Sequence, residues 1–563
     1  MTLERLLAHY ETVADAPDAV PRLRRFVLDL AVRGRLVPQD PNDEPVAVTL
    51  RRMKVAALHP GAFSIPSEWA WINVGAIADA RLGKMLDKAK NKGLPRPYLR
   101  NMNVRWFDFD LSDVFEMPFE DEELREFALR TGDVMVCEGG EPGRAAVWDE
   151  RIRDIYFQKA IHRIRFEDIV DPAFFVNALR ASANDGRLTE SFTGTGIKHL
   201  TGKGLSAYSF PLPPLAEQRR IVARVDELMG LCDRLEASRA KREAARDRLT
   251  AASLARLNRP DPDAQAFRDD AARTLETLAA LTTRPDQIKP LRQTILNLAV
   301  RGKLVEQDPA DEPAAELLER LKKAQIAACI WDGRRSRSQI SKLSLNEMWF
   351  KFPKNWVLSS FEEIFVIVSG VTKGQKVAAN EAVEVPYLRV ANVQRGYLDL
   401  TFIKKTTVRK GDEERYALQR GDVLMTEGGD WDKLGRAAIW NEEVVGCIHQ
   451  NHVFRVRPPS KDILPKWVVT YVNSLLGRAF FEDASKQTTN LASINMTQLR
   501  RCPLPLPPLA EQHRIVAKVD ALMTLCDRLE AGLERSAATR RRLLDALLAE
   551  ALTPEPHRLE AAE

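Results

Sequence analysis

Two stretches of the chain carry a helical rhythm of apolar positions. Ile221, Val225, Leu228, Cys232 and Leu235 are separated by steps of 4, 3, 4 and 3, and Ile515, Val519, Leu522, Cys526 and Leu529 repeat those steps. Such spacing keeps one stripe of a helix apolar and predicts a coiled-coil seam. Each stripe lies in a proline-free run of 45 residues, after Pro214 and after Pro508. Proline suits a first helical turn, and Glu217 and Glu511 in that turn favour the helix dipole. At 1.5 Å per residue each helix reaches roughly 60 Å. The length and the duplication favour two long coiled-coil helices packed together along these seams, antiparallel where a pseudo-two-fold axis across the bundle relates the halves, over a helix packed on its own domain. Shorter helices are expected over 23–37 and 291–305, ended by Gly34 and Gly302. The Asp-Pro-x-Asp-Glu-Pro segments after them read as turns. Elsewhere the period shortens. Short β-like runs at 134–136, 145–148, 161–166 and 453–456 alternate with glycine-rich turns, and short helices are expected near 173–183 and 467–482.

The chain repeats itself, which decides its organisation. Residues 212–237 and 506–531 share 22 of 26 positions at an offset of 294, and 23–50 and 291–318 share 18 of 28 at an offset of 268. Chance does not produce that. Between them only scattered matches survive, such as Asn103-Val104 with Asn392-Val393 and Gly132-Asp133-Val134 with Gly421-Asp422-Val423. The fold class expected is α+β: a helical region at 1–59, a domain at 60–211, a long helix at 212–257, a hinge with short helices at 258–348, a second domain at 349–505 and a long helix at 506–563. Residues 259–270, with four acids and two prolines, read as the flexible hinge.

Composition narrows the function classes. A chain of 563 residues suggests roughly three or four domains. Its six cysteines are scattered with no Cys-x-x-Cys pair, against a disulfide framework or a cysteine zinc site. The first residues lack a signal-peptide pattern, and no apolar run approaches the ~18–20 residues of a membrane span, so a cytoplasmic protein without membrane association is expected. The Gly194–Gly204 stretch misses the phosphate-loop spacing and reads instead as a basic loop against backbone phosphate. No amino-methyltransferase loop is present. None of the 26 lysines has an acid two positions before it, which removes the common carboxylate–lysine nuclease half-motif. His449 and His452 read as a strand pair rather than a metal pair, and the Glu-Gly-Gly segments as hairpin turns. No catalytic, cofactor-binding or metal-binding residue is assigned.

Charge distribution is more telling than the net +5. Residues 81–105 hold eight basic side chains and one acid, while 108–126 hold nine acids and one arginine. This predicts a domain with one basic and one acidic side. Basic side chains neutralise phosphates, and neighbouring polar groups read base edges. The candidate DNA-contacting residues are Lys84, Lys88, Lys90, Lys92, Arg96, Arg100, Arg105, Arg144 and Gln158 in the first domain. In the second they are Lys373, Lys376, Arg389, Arg395, Arg436, Gln450 and Asn451.

The Leu-Pro-Pro-Leu-Ala-Glu-Gln-x-Arg-Ile-Val segment opens a long helix twice, each time after a divergent domain with a Gly-Asp-Val strand. With these features the chain resembles the specificity subunit of type I restriction-modification systems. The resemblance implies two target recognition domains, each reading half of a bipartite double-stranded DNA sequence, and helices that act as a ruler. It also implies two methyltransferase partner subunits carrying S-adenosylmethionine and, in the complete nuclease, two restriction subunits using ATP and Mg. None of these cofactors is implied for this chain, which is expected to be non-catalytic. The segment 324–348 reads as linker beyond the family pattern. A self-contained DNA-modifying enzyme would need a catalytic motif, and a pure helical scaffold would leave the two divergent domains unexplained.

Overall fold

The computed structural model describes residues 15–58, 61–87, 91–259, 264–331, 352–372, 374, 377–429, 434–487 and 492–552. These fall into two compact units, residues 1–242 with 537–563, and residues 243–536. In chain order the first half contains α1 (Ala19–Val32), α2 (Val46–Met53), β1 (Ala70–Asn73), β2 (Ala78–Leu82), β3 (Leu94–Leu99) and β4 (Phe115–Phe119). There follow β5 (Val134–Cys137), β6 (Ala145–Val147), β7 (Tyr156–Phe157), β8 (Ile161–Phe166), α3 (Pro172–Asp185), β9 (Ser209–Leu212) and the long helix α4 (Leu215–Leu257).

Strands β2-β8-β5-β6 form one sheet and β4-β3-β7 another, with β3 and β7 parallel. The pair β1 and β9 brings the first and last strands of the domain together, Ala70 opposite Leu212. Strand β5 shows why the domain is layered. It reads Val-Met-Val-Cys and is buried throughout. Successive side chains of a strand point to opposite faces. Val134 and Val136 therefore join a cluster with Phe174 and Phe175 of α3, while Met135 and Cys137 join Tyr98, Trp148 and Phe157. The four-stranded sheet is thus covered by helix on one face and by the second sheet on the other.

The second half repeats this plan. It holds α5 (Ala264–Leu281), α6 (Ile288–Val300), α7 (Ala314–Trp331), β10 (Val357–Ser360), β11 (Val366–Ser369), β12 (Ala382–Leu388) and β13 (Lys404–Arg409). Next come β14 (Val423–Thr426), β15 (Gly428–Gly429), β16 (Ala437–Ile439), β17 (Ile448–His449), β18 (Val453–Arg457), α8 (Pro465–Asn473) and α9 (Leu475–Ala484). Then β19 (Lys486–Gln487), β20 (Ala492–Ser493), β21 (Pro503–Leu506) and α10 (Leu509–Leu552) complete it. The sheet orders β11-β18-β14-β16, β13-β12-β17 and β10-β21 match those of the first domain strand for strand, and β15-β20-β19 is added.

Several expectations are corrected here. The hinge read over 259–270 is helical from Ala264, because Ala, Phe, Leu and paired charges outweigh the two preceding prolines. The linker read over 324–348 is helical as far as Trp331; the remainder lies outside the described residues. The single helix near 467–482 is two, divided at Ser474, whose hydroxyl caps the second by accepting from the Gly477 amide at 3.2 Å. Among the described residues no helix is long and apolar enough to cross a membrane.

The seams also have different partners from those expected. Ile221 and Val225 share a buried cluster with Val27, Leu28, Ala31 and Val32 of α1, and Leu228 packs against it. Ile515, Val519 and Cys526 share one with Ile288, Ile295, Ala299 and Val300 of α6, joined by Leu522 and Leu529. Cys232 is buried and Leu235 half-buried. Ion pairs repeat the alignment: Arg24 with Asp233 (2.6 Å) and Glu236 (2.8 Å), Arg292 with Asp527 (2.7 Å) and Glu530 (2.8 Å). A 4-3 pattern specifies an apolar stripe but not what covers it. In each half the short helix and the domain cover it.

Candidate nucleic-acid interface

The Glu-Gln pair of the repeated Leu-Pro-Pro-Leu-Ala-Glu-Gln segment is a buried clamp. Trp69 donates its indole N–H to Glu217 (2.9 Å), and Gln39 donates to the other carboxylate oxygen (2.6 Å). Trp356 (3.0 Å), Gln307 (2.6 Å) and Asn355 (3.3 Å) donate to Glu511 in the same way. Burial pushes both carboxyl groups above their ordinary range, against the pull of these donors. Gln218 and Gln512 complete the clamp on the backbone, accepting from the amides of Asp171 (2.7 Å) and Leu464 (3.1 Å). Gly34 and Gly302 let it close: both have φ +66°, and a Cβ there would lie 2.4 Å from Pro66 and 2.3 Å from Pro353.

In each domain loops converge on one end of the four-stranded sheet. Glu138, at the start of the β5–β6 loop, donates its amide to Ala160 and accepts from Leu200 (2.9 and 2.8 Å). Lys159 donates to the Lys84 carbonyl (2.7 Å), and Lys84 to Phe157 (3.1 Å). Arg144 reaches the Asn101 carbonyl (2.8 Å) and Glu141 (3.1 Å). The second domain repeats the junction in its backbone: the Glu427 amide donates to the His452 carbonyl, the Glu427 carbonyl accepts from the Ile494 amide, and the Asn451 amide donates to the Val371 carbonyl. Glu138-Gly139-Gly140 opens the connection of the β5–β6 hairpin, as read; in the second domain the hairpin-turn reading is corrected, because Gly428 and Gly429 form strand β15, paired with Ser493 and Ala492 of β20.

The candidate residues divide. Lys84 is withdrawn: it is 8% exposed, ion-paired with Glu123, and donates to the Pro118 carbonyl at 3.0 Å. Arg100 lies over the Phe115 ring at 3.7 Å and pairs with Asp113 at 2.7 Å. Arg105 is exposed and pairs with Asp110 at 3.1 Å. Arg96 is half-buried and Lys92 exposed. Gln158 and Gln450 occupy equivalent half-buried places, donating their amides to Leu99 (3.1 Å) and Leu388 (3.0 Å). Arg389 donates to Phe402 (3.3 Å), Arg395 to Leu434 (3.3 Å) and Arg436 to the Gln394 side chain (2.6 Å). Asn451 accepts from Ser369 through its carbonyl. Lys88, Lys90, Lys373 and Lys376 lie outside the described residues.

The expected separation into basic and acidic sides does not hold. Glu123, Glu126, Asp113 and Asp110 of the acidic stretch pair with Lys84, Arg81, Arg100 and Arg105 of the basic one. Strands β3 and β4, one from each stretch, are antiparallel neighbours, so charges read as opposed blocks interlock instead. Sequence reasoning did not single out exposed Lys159, Phe107 and Tyr397, which no pattern marked. Lys198 and Lys203 are exposed in the loop read above as basic, and half-buried Trp106 directly follows the basic stretch.

His449 is buried, and burial holds its ring down to about 3; Nδ1 lies 2.6 Å from the Val453 carbonyl. His452 is exposed and pairs with Glu427, so the two rings do not converge. Burial pushes the Cys137 thiol up to about 11, which keeps it protonated and unreactive near neutrality. Among the described residues no group of three or more His, Cys, Asp or Glu is placed to hold a metal.

The sequence model described as "Type I restriction modification DNA specificity domain" matches residues 66–244 and 353–537. The chain is 28% identical to the type I restriction enzyme EcoAI specificity subunit of Escherichia coli, over 94% of this chain and 93% of that one. It is 26% identical to the EcoEI specificity subunit of the same organism, over 95% and 94%. A crystal structure of the HsdS subunit from Thermoanaerobacter tengcongensis aligns with 88% of this chain and 99% of that one, at 18% identity and a TM-score of 0.45.

Proposed function

Since the chain belongs to the type I restriction-modification DNA specificity family, we propose that each of its two domains reads one half of a bipartite double-stranded DNA target. In this reading the chain catalyses nothing itself. It holds two copies of one methyltransferase subunit, which supply S-adenosylmethionine and the methyl transfer. Through them it engages restriction subunits that use ATP and Mg. The work is done in the cytoplasm, where the DNA is.

One observation carries this reading: which exposed positions the two halves share. Outside the buried stripe, α4 exposes Ala216, Ala223, Leu231 and Arg234, and α10 exposes Ala510, Ala517, Leu525 and Arg528. All four pairs are identical. Exposed positions have no packing reason to match, and these include a leucine at equivalent places, 46% and 55% exposed. A surface kept twice fits one partner bound twice. The domains keep their frames and differ on their loops, as two readers of different base sequences must.

Methylome sequencing with and without this chain, beside its methyltransferase subunit, tests the function. A split recognition sequence that vanishes with the chain is expected; modification independent of the chain would refute the reading. Sedimentation of the reconstituted complex gives the stoichiometry, expected at two methyltransferase subunits per chain.

A further inference from the structure

Two turns, one in each domain, are held by the same frame and carry unrelated tips. Asn103 is 2% exposed and Asn392 3%. The Asn103 side-chain carbonyl accepts from the Arg100 amide (2.9 Å), and its amide donates to the carbonyls of Asp110 (2.9 Å) and Asp113 (3.0 Å). Asn392 makes the same three bonds, from Arg389 (2.9 Å) and to Asp399 (2.8 Å) and Phe402 (3.2 Å). The backbone repeats too. Arg105 N–H donates to Asp108 (2.8 Å) and Gln394 N–H to Tyr397 (3.0 Å). Phe107 N–H donates to Ala145 (3.0 Å) and Gly396 N–H to Ala437 (2.9 Å). The course of the chain through each turn is therefore fixed alike.

The tips share nothing. One reads Arg105-Trp106-Phe107-Asp108 and the other Gln394-Arg395-Gly396-Tyr397. Phe107 has φ +67° where Gly396 has +86°, and it is the one aromatic residue with positive φ among the described residues. A bulky side chain is strained there and glycine is not. Phe107 is also 48% exposed, and Tyr397 is 63% exposed. The fold thus gains little packing from Phe107 and bears its backbone strain. Strain of this kind gathers where a side chain has a task. Both tips sit on the loop cluster: Trp106 donates to Glu141 of the β5–β6 loop (2.7 Å) under the Arg180 guanidinium at 4.6 Å, and Gln394 accepts from Arg436.

We propose that residues 105–108 and 394–397 are the specificity-determining tips of the two domains, Phe107 and Tyr397 touching base edges or base steps in a DNA groove. This rests on the reading that each domain recognises half of a DNA target. Aromatic and apolar side chains contact the thymine methyl or wedge between base steps, and an ionised aspartate such as Asp108 accepts from the cytosine amino group.

The test uses the full chain in complex with its methyltransferase subunit, on duplexes carrying the target found by methylome sequencing. Each base pair of each half-site is replaced in turn, and discrimination is the ratio of dissociation constants. Phe107→Gly is expected to melt at or above the parent, since it takes the residue the second domain uses. It should lose about 5- to 150-fold discrimination at one or two base pairs of one half-site only. Tyr397→Ser should do the same at the other half-site. Val445→Ser, at a residue 94% exposed and outside both tip segments, should change neither. Folded tip variants that discriminate as the parent does would overturn the proposal. A parent complex that discriminates nowhere would instead remove the DNA-reading premise, so the two failures are separable.

Discussion

His449 stands where the first domain has Phe157: β17 places His449 beside Leu388 as β7 places Phe157 beside Leu99. Its Nε2 is buried and has no hydrogen-bond partner among the described residues. The fold accepts only the neutral ring, whereas the unfolded chain takes up a proton at the ordinary 6.5. Stability contributed by neutrality is therefore intact above pH 6.5 and lost as pH falls from there towards about 3. The loss is about 1.4 kcal/mol per pH unit at most. His449→Phe, the first domain's own solution, is expected to flatten this acid limb, measured by denaturant unfolding between pH 7 and 4; an unchanged limb would place the acid sensitivity elsewhere. At this scale the sequence was partly legible. The strand position of His449 could be read from neighbouring apolar residues. The neutralisation of Lys84 and Arg100 could not, because it depends on which strand lies beside which.

Among the elements, the long helices were the most legible, since 45 residues without proline and a 4-3 stripe leave little else to form. What covers the stripe was not legible, for α1 and α6 offer a complementary stripe at a distance in sequence that periodicity cannot measure. The clamp at the head of each helix gives a matched prediction. Glu217→Ala leaves the Trp69 and Gln39 donors without their acceptor, and Glu511→Ala does the same to Trp356, Gln307 and Asn355. A lost buried acceptor costs about 1–3 kcal/mol. Each change should therefore lower the unfolding midpoint, and a neutral result in either half would show that the clamp is dispensable. The exposed leucines behave differently. Leu231→Asp or Leu525→Asp should leave the melting temperature alone and reduce bound methyltransferase from two to one. The double variant should bind none; two bound subunits after both changes would discard the duplicated-surface argument.

For the whole molecule, the duplication was evident from identities at offsets of 294 and 268, and with it the two α+β domains. The division of the chain was less so. The compact units break within the long helices, at residues 242 and 536, where no change of composition marks a boundary. Replacing 357–506 with the corresponding domain of a relative is expected to change one half-site of the methylation pattern and preserve the other; a change in both would mean the domains do not read independently. The pairing of first and last strands bears on this exchange. Val357 lies opposite Leu506 as Ala70 lies opposite Leu212, so each domain leaves its helices at a point about 4.8 Å from where it joined them. A gene that trades everything between those strands alters what is read without respacing the helices around it. The repeated segments on either side, 23–50 and 291–318 before the domains and 212–237 and 506–531 after them, offer recombination two matching flanks. New specificities can thus be inherited as whole cassettes, with no need to accumulate contact by contact.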